Sequence, residues 1–252
     1  MNILHLTDLH FSTDIPEAEI RKKWDGILVK ILKACSDKKI AVLAVTGDFT
    51  CHGAEEEFLQ AEKFLRRLMG KLGLKKEQII LCPGNHDADT EDANSSFEHY
   101  DAFAERIYGK KQNVFHVTEK KKKTGKERKF TFVTVNTCKK TSLELYERAS
   151  LIKEECEECK KLTKDEYGIV LMHHQPEAIT NQELFMEMVK NENVKLILSG
   201  HQHMSLPRVY QAEKKVIVNG MAVTPHREWM AAGCQLVKVK SDETIKVKQI
   251  DL

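Results

Sequence analysis

Apolar positions along the chain follow two alternating rhythms. Short unbroken runs rich in Ile, Leu and Val fall at 2–7, 40–46, 78–82, 167–172 and 194–199 and read as strands buried on both faces. Between the first two, Ile20, Trp24, Ile27, Leu28, Ile31, Leu32 and Cys35 recur at helical spacing and mark one face of an amphipathic helix. Phe58, Leu59, Leu65, Leu68, Met69 and Leu72 form the same pattern between the second and third runs. Strand, helix, strand order predicts parallel pairing in the N-terminal half. After residue 205 the rhythm changes: runs at 206–211, 214–219, 233–240 and 244–250 have short connections, which predicts antiparallel hairpins. The expected class is therefore α/β with mixed sheets, and with no internal repeat or Pro/Gly/Ser-rich linker a single domain over 1–252 is expected.

Composition narrows the partners. At 41% hydrophobic and 31% charged residues over 252 positions, the chain is too apolar for a disordered one and too charged for a membrane bundle. No apolar segment approaches the roughly 18 residues of a membrane span, so no membrane is expected as a partner. Lys and Arg total 40 against 38 Asp and Glu, a formal charge of +2, so a nucleic-acid surface must be sought locally. One tract offers it. Residues 119–129, between strand-like runs at 113–118 and 130–136, read as a hairpin with a basic tip whose Lys120 to Lys123 could meet a phosphate backbone. No aromatic residue lies in the tract to stack on bases, which favours a solvated loop. The chain opens directly on a strand-like run, without the basic and long apolar regions of a leader. Seven scattered cysteines suit reduced thiols, and the expected compartment is the cytoplasm. Cys156-Glu-Glu-Cys159 lacks a second pair to complete a zinc site and reads as two thiols on neighbouring turns of a charged helix.

The chemistry gathers where the five buried runs end. Each leads into polar residues: Asp8-Leu9-His10, Gly47-Asp48, Gly84-Asn85-His86-Asp87, His173-His174 and Gly200-His201-Gln202-His203. Ligands of open α/β sheets bind beyond the carboxyl ends of the strands, so these groups should converge. Asp8, His10, Asp48, Asn85, His86, His173, His201 and His203 are too many ligands for one ion and suit two divalent ions sharing a carboxylate, which would activate a bridging water as hydroxide nucleophile on phosphorus. Taken singly, each dipeptide is ordinary capping or turn chemistry. Their joint order is what carries the reading.

With D-x-H, G-D, G-N-H-D, H and G-H-x-H in that order from Ile3 to about His203, the sequence resembles the calcineurin-like metallophosphoesterases. The resemblance implies two mixed β-sheets packed as a sandwich flanked by helices. It implies one ion held by Asp8, His10, Asp48 and His203 and a second by Asp48, Asn85, His173 and His201, with Asp48 bridging; Mn, Fe, Zn and Co all suit such mixed O and N donors. His86 would serve the leaving group as hydrogen-bond or proton donor, with Asp87 fixing its orientation. His174, in His-His-Gln-Pro where the family usually shows His-His-Pro-Pro, would support a ligand or face substrate. Gly47-Asp48-Phe49-Thr50-Cys51-His52-Gly53 and the Asp of G-N-H-D depart from the protein-phosphatase strings and look like the bacterial phosphodiesterase branch. The implied activity is hydrolysis of a phosphodiester or phosphomonoester, a diester being favoured, on a small-molecule substrate. The alternatives are a nuclease acting on DNA or RNA and a non-catalytic binding scaffold of the same fold. Segments 88–112 and 138–166, without motifs of their own, are candidate caps over the site.

Overall fold

The computed structural model describes residues 1–89, 96–120, 127–138, 149–212, 214–225 and 230–252. The chain opens as β1 (Asn2–Leu6), α1 (Glu17–Cys35), β2 (Val42–Thr46), α2 (Glu55–Leu72) and β3 (Ile79–Cys82). It continues through α3 (Glu98–Tyr108), the hairpin β4 (Val114–Lys120) and β5 (Glu127–Val135), α4 (Lys153–Lys160), β6 (Glu166–Met172), α5 (Gln182–Val189) and β7 (Val194–Met204). Two further hairpins follow, β8 (Arg208–Ala212) with β9 (Lys215–Met221) and β10 (Gly233–Val239) with β11 (Ile245–Asp251). One sheet runs β11-β10-β1-β2-β3 and the other β4-β5-β6-β7-β9-β8.

The two sheets pack face to face, and strand alternation divides their side chains between two cores. On β6, Ile169 and Leu171 enter the large core between the sheets, whereas Val170 and Met172 enter a smaller one under α4 and α5. Phe130 and Phe132 of β5 face the first core, and Val133 and Val135 the second. Burial on both faces explains why these strands read as continuous apolar runs.

The parallel pairing expected for β1, β2 and β3 is present. Both C-terminal hairpins form, but they go to different sheets. β9 also lies parallel to β7, a pairing the expectation of antiparallel hairpins left out. The face of α1 is buried as expected except for Leu32, which is only partly covered. On α2 the buried stripe is Glu57, Phe58, Ala61, Phe64, Leu65, Leu68 and Met69. Leu59 is 41% exposed, a correction to the predicted face. One residue on from Phe58 turns the side chain about 100° away from the stripe, and Phe64 fills the core in its stead, 4.6 Å from Trp24. α2 ends where Gly73 takes a left-handed φ of 67°, which a β-carbon would disfavour.

Of the two candidate caps, the described part of 88–112 is α3, whose Tyr100 and Phe103 pack with Phe49 and Phe58 in the main core. In 138–166, α4 covers the second sheet, with Cys156 and Cys159 buried as free thiols in the smaller core; residues 90–95 and 139–148 lie outside the described residues. Among the described residues no helix is long and apolar enough to cross a membrane.

Candidate metal centre

The carboxyl ends of β1, β2 and β3 from one sheet and of β6 and β7 from the other meet at one edge of the sandwich. Asp8 and His10 follow β1, Asp48 follows β2, and Asn85, His86 and Asp87 form a single 3-10 turn after β3. His173 and His174 follow β6, and His201 and His203 close β7. Asp8, His10, Asp48, His201 and His203 all adopt positive φ, between 46° and 73°. Non-glycine residues seldom enter that region, and such strain collects at functional sites. Here it turns each side chain out of its strand and toward a common point. Two motif glycines make the approach possible. Gly47 has φ 89°, and a β-carbon on it would stand 2.5 Å from His173 Nδ1; one on Gly84 would stand 2.1 Å from Asp48 Oδ1.

Two sets of donor atoms result. Ligand atoms of Asp8, His10, Asp48 and His203 all lie within 4.8 Å of one another, as do those of Asp48, His173 and His201. Asn85 Oδ1 joins the second set, 3.0 Å from His173 Nε2 and 3.1 Å from His201 Nδ1. Asp48 belongs to both. Its Oδ2 stands 3.2 Å from His173 Nε2 and 3.8 Å from His10 Nε2, while its Oδ1 accepts the backbone N–H of His86 at 2.9 Å.

The neighbours of these groups aim them. Asp8 Oδ2 accepts from Thr7 Oγ1 (2.7 Å) and from the His201 N–H (3.2 Å), leaving Oδ1 toward His203 Nε2 at 3.2 Å. His173 Nδ1–H donates to the Thr46 carbonyl at 2.7 Å, which fixes the ring and directs Nε2 at the centre, where a cation would replace its proton. Lone-pair atoms brought this close, such as His10 Nε2 and His203 Nε2 at 3.1 Å, fit divalent cations between them, and the carboxylate, imidazole and carboxamide donors suit Mn, Fe, Zn or Co. The protein's own field points the same way. Burial pushes the Asp8 and Asp48 carboxyls up, yet His203 beside Asp8 and His173 beside Asp48 hold both below the usual carboxylate range. Burial works against a charged His173, but Asp48 raises it to about 9; burial and then His173 lower His201 to about 4. The site thus concentrates negative charge on carboxylates and rewards a cation.

His86 stands at the partly open rim, its ring 5.0 Å from that of His10 and edge-on to it, and Nδ1–H donates to the Cys51 carbonyl at 2.9 Å. The expectation that Asp87 orients this ring meets a correction. Asp87 Oδ1 accepts from the N–H groups of Phe49 (2.8 Å) and Thr50 (3.1 Å), and Oδ2 accepts from the Gly84 N–H at 2.8 Å. Asp87 therefore ties the turn that carries His86 to the loop that carries Asp48. Burial, and then the Asp48 charge, push its pKa up to about 8. His174 is fully buried, with Thr137 Oγ1 2.9 Å from Nδ1 and its ring 4.3 Å from that of His201, so of its two expected roles the substrate-facing one falls away.

A family model for calcineurin-like phosphoesterases matches residues 1–205. The chain belongs to that family. No curated protein matches the sequence. Among solved structures it is similar to the sulfate thiohydrolase SoxB of Thermus thermophilus, solved with glycerol, at 14% identity and a TM-score of 0.55 over 100% of this chain and 56% of that one. It is also similar to GAP50, described as the anchor in the inner membrane complex of Plasmodium, at 11% identity and a TM-score of 0.62, covering 100% of this chain and 84% of that one. At these identities the likeness shows the fold, a sandwich of two mixed sheets with flanking helices. The chain spans about half the length of SoxB.

Sequence reasoning missed several parts of this family site. Thr7, which holds Asp8, and Thr50, whose Oγ1 lies 2.8 Å from the His86 carbonyl oxygen, sit beside motif residues and could have been read from that adjacency. The Thr46 and Cys51 carbonyls, which hold His173 and His86, carry no residue-type signal at all.

Proposed function

We propose that the chain is a dinuclear metal-dependent phosphodiesterase. The observation that supports it best is the complete set of eight-residue chemistry at one edge: two groups of ligands sharing Asp48, with His86 beside them on the open side. When bound, two divalent ions would polarise the phosphoryl oxygens and lower the pKa of an attacking water. Asp8, His10, Asp48 and His203 would hold one, and Asp48, Asn85, His173 and His201 the other. Asn85 adds an oxygen donor without adding negative charge against a phosphate. His86, its Nδ1 proton engaged by Cys51, can present Nε2 to the departing oxygen and hand it a proton when doubly protonated. Alkoxide leaving groups need that proton, which is why a diester of an ordinary alcohol is the favoured substrate.

The scaffold alternative, to which GAP50, described as an anchor, lends interest, predicts lost ligands, whereas all are present here. Nucleic acid held by the basic hairpin is disfavoured by topology. β5 runs parallel to β6 toward the centre, and its first residue, Glu127, stands about 26 Å from its last for eight residue steps. Lys121 to Lys123 lie outside the described residues, and at the base of the tip Arg128 pairs with Glu243 and Lys129 with Glu166.

Elemental analysis with a metal titration of bis(p-nitrophenyl) phosphate hydrolysis tests the reading. Asp48→Ala should abolish metal-dependent turnover and lower occupancy of both ions, and Asn85→Ala should mainly weaken one. A stoichiometry of one ion, unchanged by Asp48→Ala, would overturn it.

A further inference from the structure

We propose that a lysine-lined groove beside the metal centre binds a second phosphate of the substrate, outside the one being hydrolysed. The groove, about 760 Å³, lies between α1 and the segment following β9. Lys22, Lys23 and Lys30 line it together with one acidic side chain, Glu19. Among the described residues none of the three lysines has an ion-pair or hydrogen-bond partner, whereas the arginines of helices α1 and α2 are paired, Arg21 and Arg67 with Asp25 and Arg66 with Glu62. Lys23 is also partly withdrawn from water, which lowers its pKa. An unpaired ammonium held at a groove wall is a place for an anion.

Position ties the groove to the reaction. Strand β1 runs toward the centre and α1 runs back from it, so the first turns of α1 lie at the catalytic edge. Thr224, a groove residue, donates its N–H to the Asp8 carbonyl at 3.1 Å and its hydroxyl to the Leu9 carbonyl at 2.5 Å. The groove wall is thus one hydrogen bond from the loop that carries Asp8 and His10. Lys23 and Lys30 are two helical turns apart, about 10.5 Å along the axis, which matches a chain of phosphates better than a lone one. Gly26 supplies an independent sign. It sits inside α1, where glycine is less stable than alanine, yet a β-carbon there would meet nothing within 4 Å. Packing does not demand this glycine; an occupant passing close to the helix would.

The proposal rests on the phosphodiesterase reading for its catalytic assay and stands apart from it in a binding assay. The substrates are hexathymidylate, a dinucleoside tetraphosphate and, as a reference with one phosphate, bis(p-nitrophenyl) phosphate. In Lys23→Gln/Lys30→Gln, kcat/KM for a multi-phosphate substrate relative to the reference should fall roughly five- to tenfold. A fall confined to hexathymidylate assigns the groove to oligonucleotides, and one confined to the tetraphosphate assigns it to free nucleotides. Gly26→Leu, which fills the groove and improves the helix, should produce the same relative loss with an unchanged or higher melting temperature. Anisotropy of labelled hexathymidylate or tetraphosphate with the chelated protein should weaken steeply with salt, and for the oligonucleotide the slope should be shallower in the double variant by roughly 1.4. If both relative rates and both affinities are unchanged in both variants, the proposal fails. If no diester is hydrolysed but binding is still lost in the variants, the phosphodiesterase reading fails and the groove assignment holds.

Discussion

Asp87 distinguishes a residue that acts on substrate from one that holds the site together. Its carboxylate gathers three buried backbone donors, the N–H groups of Phe49, Thr50 and Gly84, and lies 3.1 Å from the Thr50 hydroxyl. Asp87→Ala strands all three N–H groups. At about 1–3 kcal/mol for each buried donor left unsatisfied, the gross loss is about 3–9 kcal/mol. Removing the carboxylate also removes its own desolvation penalty, so the lower part of that range, about 3–5 kcal/mol, is expected. Asp87→Asn keeps an oxygen toward Phe49 and Thr50 and turns an NH₂ against the Gly84 N–H, losing one partner, or about 1–3 kcal/mol. For a chain of this size each kcal/mol moves the melting temperature by roughly 2–4 °C, so Asp87→Asn should melt roughly 2–12 °C below wild type and Asp87→Ala further still. The assay is thermal unfolding followed by circular dichroism after chelation, so that ion binding does not mask the difference. Equal stability of all three proteins, or Asp87→Asn as unstable as Asp87→Ala, would refute the account of Asp87 as a tie between two loops.

His86→Ala should keep both ions and lose far more activity toward alkyl diesters than toward nitrophenyl ones, because only the former need a proton on the leaving oxygen; loss of an ion in inductively coupled plasma analysis would make His86 a ligand instead. His5 is fully buried between Thr46 Oγ1 (2.8 Å) and the Gln235 amide (2.6 Å), and burial lowers its pKa to about 3, with Asp8 opposing. A histidine whose folded pKa lies below its unfolded value contributes stability above pH 6.5 that is lost as pH falls toward 3, so about 2 kcal/mol should disappear between pH 7 and 5. Urea midpoints at the two pH values check this, and His5→Gln should remove that part of the pH dependence.

The reach of the sequence differs element by element. Asp8, Asp48, Asn85, His173, His201 and His203 were legible because each follows an apolar run and most lie beside a glycine or a second histidine, a pairing of strand end and donor that few other segments share. Parallel order in β1, β2 and β3 was legible from the helices between them. Which sheet a run joins was not: β9 and β10 have the same apolar character, and the partner that distinguishes them, β7 or β1, is set by packing across some 20 to 230 residues of chain. The roles of Asp87 and His174 also lay beyond reach, since both depend on which backbone groups the folded loops leave unsatisfied. Leu59 failed for a local reason, because a stripe of three or four residues per turn admits either of two neighbours until the facing side chains are known.

The ligands are divided between the two sheets in both sets. Asp8, His10 and Asp48 come from one sheet and His203 from the other; Asp48 and Asn85 face His173 and His201 in the same way. Neither sheet by itself carries a complete site, so loading with ions and docking of the sheets are one equilibrium. Ions bound there would work as a clasp on the open edge of the sandwich, adding about 2.7 kcal/mol to its closure at a free ion concentration a hundredfold above the dissociation constant. In a metal-poor medium that edge would lose this contribution, and restoring the ions would draw the two sheets back together there.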